Sequence, residues 1–544
     1  MIMNHLKISA GLLIAAMIAS GGAACGPSSN HKDVSTDDVP TEDATTDDAT
    51  TDDPGEAPED GVDEGEADTI PPPTCGNDAT DAGETCDGTD LNGFDCASLS
   101  PRFTSGTLAC RPDCLGYDLA GCVEGGTVVT ATSCSQQDVQ AAIDAASDGD
   151  TVSVPEGECT WTSTGCLNVG NMCTSVWLNK TVILQGAGID LTIIISATDG
   201  DWDAPALLLG AESSISPRVT EFTFGGDGGD TGIIRPQDGA SGFRIDHNKF
   251  VSYPGRGIST RDDSRGVIDH NTFLNVSNEY VEILGDGEAS WAEPFQDVFG
   301  TGHTVFIEDN AWSYDESFTE NGANAVDSND GARHVFRHNQ VDSWNNSQPI
   351  EAHGTCAFEA GTRSFEIYEN EFNILDPAYT AWNALRFRSG EGVIYSNTFT
   401  GKWGSAEIRL DEDRLVPDMN CPPYDPMLCT YVDPEDPATW EMSDRPCLYQ
   451  VHNLFVWNNS VTDPPLDVVM TTDGAEQYLV ADRDYFQREP SVELDGFGYS
   501  PYIYPHPLTA APFWTPICDE GAIPSPCWCE GMRTSGSCIH GFFE

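Results

Sequence analysis

Phe-Arg-Ile-Asp-His-Asn248, Gly-Val-Ile-Asp-His-Asn271, Val-Phe-Ile-Glu-Asp-Asn310, His-Val-Phe-Arg-His-Asn339, Phe-Glu-Ile-Tyr-Glu-Asn370 and Gly-Val-Ile-Tyr-Ser-Asn397 are one phrase written six times between Phe243 and Phe399. The asparagines are 23, 39, 29, 31 and 27 residues apart. A short strand repeated at such a period marks a solenoid, in which each coil buries its inner face on its neighbours. Asparagine suits the repeat because its amide hydrogen-bonds the same amide one coil away, and because it tolerates left-handed turns. Three residues before each asparagine stand Ile245, Ile268, Ile307, Phe336, Ile367 and Ile394, an apolar column for the interior. The residues after them, Asp246, Asp269, Glu308, Arg337, Tyr368 and Tyr395, belong outside by the period of two. A β-propeller or sandwich would need hairpin turn pairs between adjacent strands, and the repeats lack them. The chain therefore reads as all-β: a right-handed, single-stranded parallel β-helix.

Outward from this core, the first residues carry Lys7, an apolar run from Ile8 to Ile18 and small residues to Ala24, the pattern of a signal peptide over 1–24. Cys25 after Ala23-Ala24 resembles a bacterial lipobox, with Gly22 where such boxes usually carry Leu. That resemblance implies lipidation at Cys25, membrane contact only through the lipid, and an exported, surface-anchored protein. Of 19 cysteines, Cys25 is the odd one out, leaving eighteen for disulfides in an oxidising space. Residues 25–73 form an acidic tract too poor in apolar side chains to fold, a disordered tether. The chain holds 89 acidic against 24 basic residues, a formal charge of -65, which argues against nucleic acid as partner. It is expected to act as a monomer on a polysaccharide.

Residues 74–124 carry Cys75, Cys86, Cys96, Cys110, Cys114 and Cys122. Their pattern, Cys75-Gly-Asn and Asp81-Ala-Gly-Glu-Thr-Cys86-Asp included, resembles a cysteine-rich repeat of secreted myxobacterial proteins. Disulfides would supply the stability that so small a core cannot. The β-helix domain is expected over 125–510. It opens with Ser135-Gln-Gln-Asp138, read as a capping box, and with Val139, Ala142, Ile143 and Ala146, one stripe of a short helix that would cap the solenoid. Asp148-Gly-Asp150 and a strand from Thr151 follow. This opening is similar to that of pectin-lyase-fold proteins, which implies the fold over roughly 130–510 and leaves activity open. His452-Asn-Leu-Phe-Val-Trp-Asn458 resumes a coil after a cysteine-bearing insertion over 411–450, and a Tyr/Pro/His cluster near 500 reads as a packing plug. Residues 511–544 form a cysteine-rich tail.

A second strand follows each asparagine. Aligned, these read Val-Glu282-Ile, Val-Asp327-Ser, Ile-Glu351-Ala-His353, Leu-Arg386-Phe-Arg388 and Ile-Arg409-Leu-Asp411. Their charged members point outward from successive coils about 4.8 Å apart. Acids, then acid with histidine, then paired arginines make a sorted column. Arg333 and Arg363 each stand six or seven residues before an asparagine and are expected near one another on neighbouring coils.

Three functions fit this face. β-Elimination on a uronic-acid polysaccharide needs a neutralised carboxylate, a base and an acid. Arg386, Arg388, Arg363 and Arg333 suit the substrate carboxylate and His353 the base, with Glu351 and Asp327 beside it. Glu282 and Asp327, with Glu351, offer hard oxygen ligands for Ca2+. Lysine, a frequent base in β-helix lyases, is missing from the column. Asp327 with Glu351, or Glu282 with Glu351, is instead the carboxylate pair of a glycoside hydrolase. A non-catalytic glycan binder would use Trp291, Trp312, Trp344 and Trp382 as stacking platforms.

Overall fold

The computed structural model describes residues 80–509 apart from short internal stretches and one long one, 412–449. The signal segment, Cys25, the acidic tract, Cys75, the 411–450 insertion beyond Asp411 and the 511–544 tail lie outside the described residues.

Three long sheets run the length of the main domain, with 12, 11 and 10 strands. Each coil contributes one strand to each, and successive coils pair parallel, so the domain is a parallel β-helix. The first sheet holds the strands that end before each asparagine: Ser241–Asp246, Arg265–Asp269, Val305–Glu308, Arg333–Arg337, Ser364–Tyr368 and Gly390–Tyr395. The second holds the strands just after it, such as Lys249–Val251, Thr272–Leu274 and Ala311–Ser313. The third holds Ile258–Thr260, Val281–Leu284, Val326–Asn329, Ile350–Ala352, Leu385–Phe387 and Ile408–Leu410.

The asparagine ladder joins the first two sheets. Asn271 Oδ1 accepts from the backbone N–H of Asn248 at 3.0 Å and from its Nδ2 at 3.2 Å. The same pair of bonds recurs from Asn271 to Asn310, Asn310 to Asn339, Asn339 to Asn370, Asn370 to Asn397 and Asn397 to Asn459. The left-handed conformation falls one residue earlier than expected, on His247, His270, Asp309, His338, Glu369, Ser396 and Asn458. The last coil's ladder residue is accordingly Asn459 rather than Asn458.

The predicted inner column of Ile245 through Ile394 is wholly buried. Beside it runs an aromatic stack, with Phe250, Phe273 and Trp312 at centroid distances of 4.9 and 5.0 Å. Trp312 thus belongs to the core and is no sugar platform. Trp382 is exposed, and Trp344 lies outside the described residues.

The helix Gln136–Ala145 buries Val139, Ala142 and Ile143 and packs on Val128–Thr130 and Val176–Leu178 at the first coils. Ser135 Oγ accepts from the Asp138 N–H at 3.3 Å, as predicted. The return half of the capping box is rerouted: Asp138 takes the hydroxyl of Ser133, which itself accepts from the Ser135 N–H. Disulfides Cys134–Cys159 and Cys166–Cys173 tie these opening coils. In the small module, Cys86 pairs with Cys110 and Cys96 with Cys122, and Cys114 is disulfide-bonded as well.

The outer side of the first sheet departs from its expected exposure. Asp246, Asp269, Glu308 and Arg337 point away from the interior yet are completely buried. The segment 497–509 lies lengthwise over them, so the Tyr/Pro/His cluster covers a flank. Arg337 donates to Tyr502 O at 2.7 Å and Ile503 O at 2.9 Å, His506 N–H to Glu308 at 2.8 Å, and Arg244 to Leu508 O at 3.1 Å. Charges on that face are satisfied across coils: Arg218 with Asp246, Arg244 with Asp269 at 2.7 Å, and Arg337 with Glu308 at 2.6 Å. With one outer face sealed, the charged face of the third sheet is the place to look for chemistry.

Candidate active site

The third sheet sets the register of that face. Glu282 pairs with Asp327, Asp327 with Glu351, Glu351 with Arg386, and Arg386 with Arg409. The alternate residues Ile283, Ser328, Ala352 and Phe387 turn inward and are buried. Two positions further along, where the strands give way to turns, a second column holds Asn329, His353, Arg388 and Asp411. It is built by parallel-type bonds from the His353 N–H to Ser328 O, the Arg388 N–H to Ala352 O and the Asp411 N–H to Phe387 O.

His353 is the centre. Its Nε2 lies 3.2 Å from Asp327 Oδ1 and 3.6 Å from Glu351 Oε1, and Arg388 Nη2 stands 2.9 Å from both ring nitrogens. Arg388 also donates to Glu351, which takes Arg386 Nη1 at 3.2 Å, Asn324 Nδ2 at 3.1 Å and the Gln348 amide. Arg386 and Arg409 share Asp411, at 2.7 and 3.0 Å. Gly354 permits this closeness, because a Cβ there would meet Arg388 O at 2.5 Å. Ser389 Oγ holds the His353 carbonyl at 2.6 Å.

The environments push neighbouring acids apart. Burial raises the Asp327 pKa, with the negative charges of Glu351 and Glu282 adding to it and His353 opposing. For Glu351 burial is outweighed by Arg388, His353 and Arg386, which hold it ionised below the ordinary range. Burial pulls His353 down, but Asp327 outweighs that, and the imidazole ends above 6.5. Asp327 and His353 together keep a proton to higher pH than either would in water.

Other predicted residues fall elsewhere. Arg363 is buried, paired with Glu391 and stacked on Trp291 at 4.9 Å; it does not face solvent and is set aside as a substrate ligand. The expected proximity of Arg333 and Arg363 holds, through one short 3-10 turn, Gly287–Trp291: Arg333 donates to Ser290 O at 2.5 Å and Arg363 lies on the next residue.

Glu282 does not suit calcium. Arg256 holds one of its oxygens at 3.0 Å, and Arg261 and the Ser259 hydroxyl both hold the other at 2.6 Å. With Asp327 engaged by His353, and Glu351 by Arg386 and Arg388, each acid that could offer hard oxygen ligands already faces a nitrogen base or cation. The one group among the described residues with metal-like spacing, Asp246, His247 and Asp269, is already paired with Arg218 and Arg244.

Sequence reasoning missed Arg256, Arg261 and Glu279, whose carboxyl is pushed up to about 7 by burial and then by Asp327. A signal existed. Three residues before Ser259, Glu282, Asp327, Glu351 and Arg386 stands a polar side chain: Arg256, Glu279, Asn324, Gln348 and Asn383. These precede the strands, where alternation does not reach.

Fold and site together define a parallel β-helix protein with an acid, histidine and arginine cluster on the outer side of the third sheet. No family model and no curated protein matches the chain. Among solved structures it is similar to the A-module of the Azotobacter vinelandii mannuronan C-5 epimerase AlgE6, at 15% identity and a TM-score of 0.37 over 60% of this chain and 82% of that one. It is also similar to the PL6 family alginate lyase AlyGC, at 14% identity and a TM-score of 0.33 over 62% of this chain and 44% of that one. A third is an alginate lyase from Paenibacillus sp. str. FPU-7, at 10% identity and a TM-score of 0.21 over 53% and 93%. At these scores the likenesses say nothing of activity.

Proposed function

We propose that this protein is an exported, surface-anchored polysaccharide lyase that cleaves a uronic-acid polymer by β-elimination. The observation that carries the reading is the partly exposed His353, held against Asp327 and the largely buried Arg388, with the half-buried Arg386 and Arg409 beside them on Asp411. In a chain with 24 basic residues against 89 acids, such a concentration of guanidinium suits a polyanion. Arg388 and Arg386 neutralise the substrate carboxylate and so acidify the proton on the adjacent carbon. Neutral His353 removes that proton; the electron pair becomes the new carbon–carbon double bond as the glycosidic carbon–oxygen bond at the β-carbon breaks. The departing oxygen takes up the proton that His353 has removed, relayed through Asp327, which lies 3.2 Å from the imidazole. No step uses a metal ion.

The test is incubation with acidic and neutral polysaccharides, following ultraviolet absorbance of the unsaturated uronate and, in parallel, new reducing ends. Absorbance with a uronate polymer is expected, and His353→Gln should lower it by about 10²–10⁴-fold. The rate should climb with pH through a value above 6.5, since only neutral imidazole is a base, and Asp327→Asn should move that limb to lower pH. Reducing ends without absorbance would replace the lyase with a hydrolase, a second reading favoured by the opposed pKa shifts of the register partners Asp327 and Glu351. Retention on a polysaccharide without any product would make the protein a binder.

A further inference from the structure

Toward the N-terminal coils, the turn side of the third sheet opens into a polar cleft of about 200 Å³ whose polar lining includes Thr260, Ser264, Thr304, Arg265, Arg333 and His303, together with the carboxylates of Asp262 and Asp286. Thr260 is 1% exposed, Ser264 and Thr304 6%, and among the described residues none of their three hydroxyls has a hydrogen-bond partner. A buried hydroxyl left unpaired costs about 1–3 kcal/mol, and native proteins rarely leave several around one space. Three hydroxyls, two guanidinium groups, an imidazole and two carboxylates around one cleft match a ligand that carries both hydroxyls and a carboxylate, the aspartates suiting its hydroxyls and the arginines its carboxylate.

The cleft has a defined place relative to His353. Its floor includes Ile283 and Leu284, which pair with Ser328 and Asn329, and the His353 N–H bonds to Ser328 O. It therefore lies two coils from the imidazole along the axis, about 10 Å at the usual inter-strand spacing. We infer that this cleft is a remote uronate subsite, binding one sugar-acid unit of a chain that runs along the helix axis away from His353. The inference rests on the lyase reading and deepens it. It gives Arg333 a place in substrate binding away from the reacting bond, and it makes the enzyme prefer chains long enough to span both positions.

Calorimetric titration of the full chain carrying His353→Gln, which slows turnover, with uronate oligomers of two to eight units and with carboxyl-reduced oligomers of the same lengths tests this. Affinity should rise with length until the cleft is filled, and the carboxyl-reduced series should lose that rise. Combined Ser264→Ala and Thr304→Val should lower the ratio of long-oligomer to dimer affinity by roughly tenfold, the order of two lost hydrogen bonds. Thr304→Ser should keep the ratio, and Arg265→Gln offers a second probe if the double variant fails to fold. An unchanged ratio in both, with uronate oligomers still bound, overturns the subsite and leaves the lyase standing. Failure of every uronate oligomer to bind overturns both.

Discussion

At the residue scale, the ladder asparagines are the least replaceable side chains. Asn310 donates to Ile268 O at 2.8 Å and Glu308 O at 2.9 Å, and accepts from both nitrogens of Asn271. Asn310→Ala should destabilise the domain by at least ~2 kcal/mol, because it strands buried carbonyls and an N–H; urea unfolding measures it. Gly354→Ala should cut activity with little loss of secondary structure, since a methyl group there collides with Arg388 O. Far-ultraviolet circular dichroism beside a rate assay separates the two effects. Glu366 is pushed up to about 7, chiefly by burial, although Tyr499 and the Gly300 N–H both donate to it. The folded state therefore resists ionising it. The penalty is absent below about pH 4.5, grows as pH rises toward 7 and is constant above, reaching about 3 kcal/mol. Glu366→Gln should gain stability over the native chain by up to that amount between pH 4.5 and 8, in denaturation curves taken at each pH.

At the scale of elements, the helix Gln136–Ala145 was legible because its signals are local: a cap residue and a stripe at helical spacing. Its attachment was not. Cys134, just before the helix, bonds Cys159 in the strand Gly157–Thr162, and Trp161 Nε1 donates to Cys134 O at 2.9 Å. Replacing both cysteines by serine should lower stability by about 3 kcal/mol, given the 25-residue separation, read from the unfolding midpoint of the opening coils by hydrogen exchange. The charged strands of the third sheet were legible for the same reason as the helix. Glu282, Asp327, Glu351 and Arg386 alternate with apolar neighbours, so register places them in one row. Arg256, Arg261 and Glu279 were not, since they stand in turns, where no period fixes direction.

At the scale of the whole molecule, the segment 497–509 seals the outer side of the first sheet, whereas His353 on the third sheet stays partly exposed. Arg337 is the main tie, bonding Glu308 across coils and two carbonyls of the covering segment, with Tyr504 5.2 Å from its guanidinium. Arg337→Ala should cost about 3–5 kcal/mol, as expected when one partner of a buried ion pair is removed. It should also expose the segment, seen as faster proteolysis after Gly496.

The sequence alone determined the coil, its inner column, its asparagine ladder and the row of charges on the third sheet, because each follows from a period of two within a strand and a repeat between strands. Only the tertiary structure decided which outer row meets solvent and which charges are already spoken for. Asp246 and Asp327 read alike as outward acids, yet one lies under the chain's last described segment and the other beside a partly exposed imidazole. Contacts across such distances leave no mark on the local pattern, and the identity of an ion-pair partner depends on the coil that happens to stack beside it.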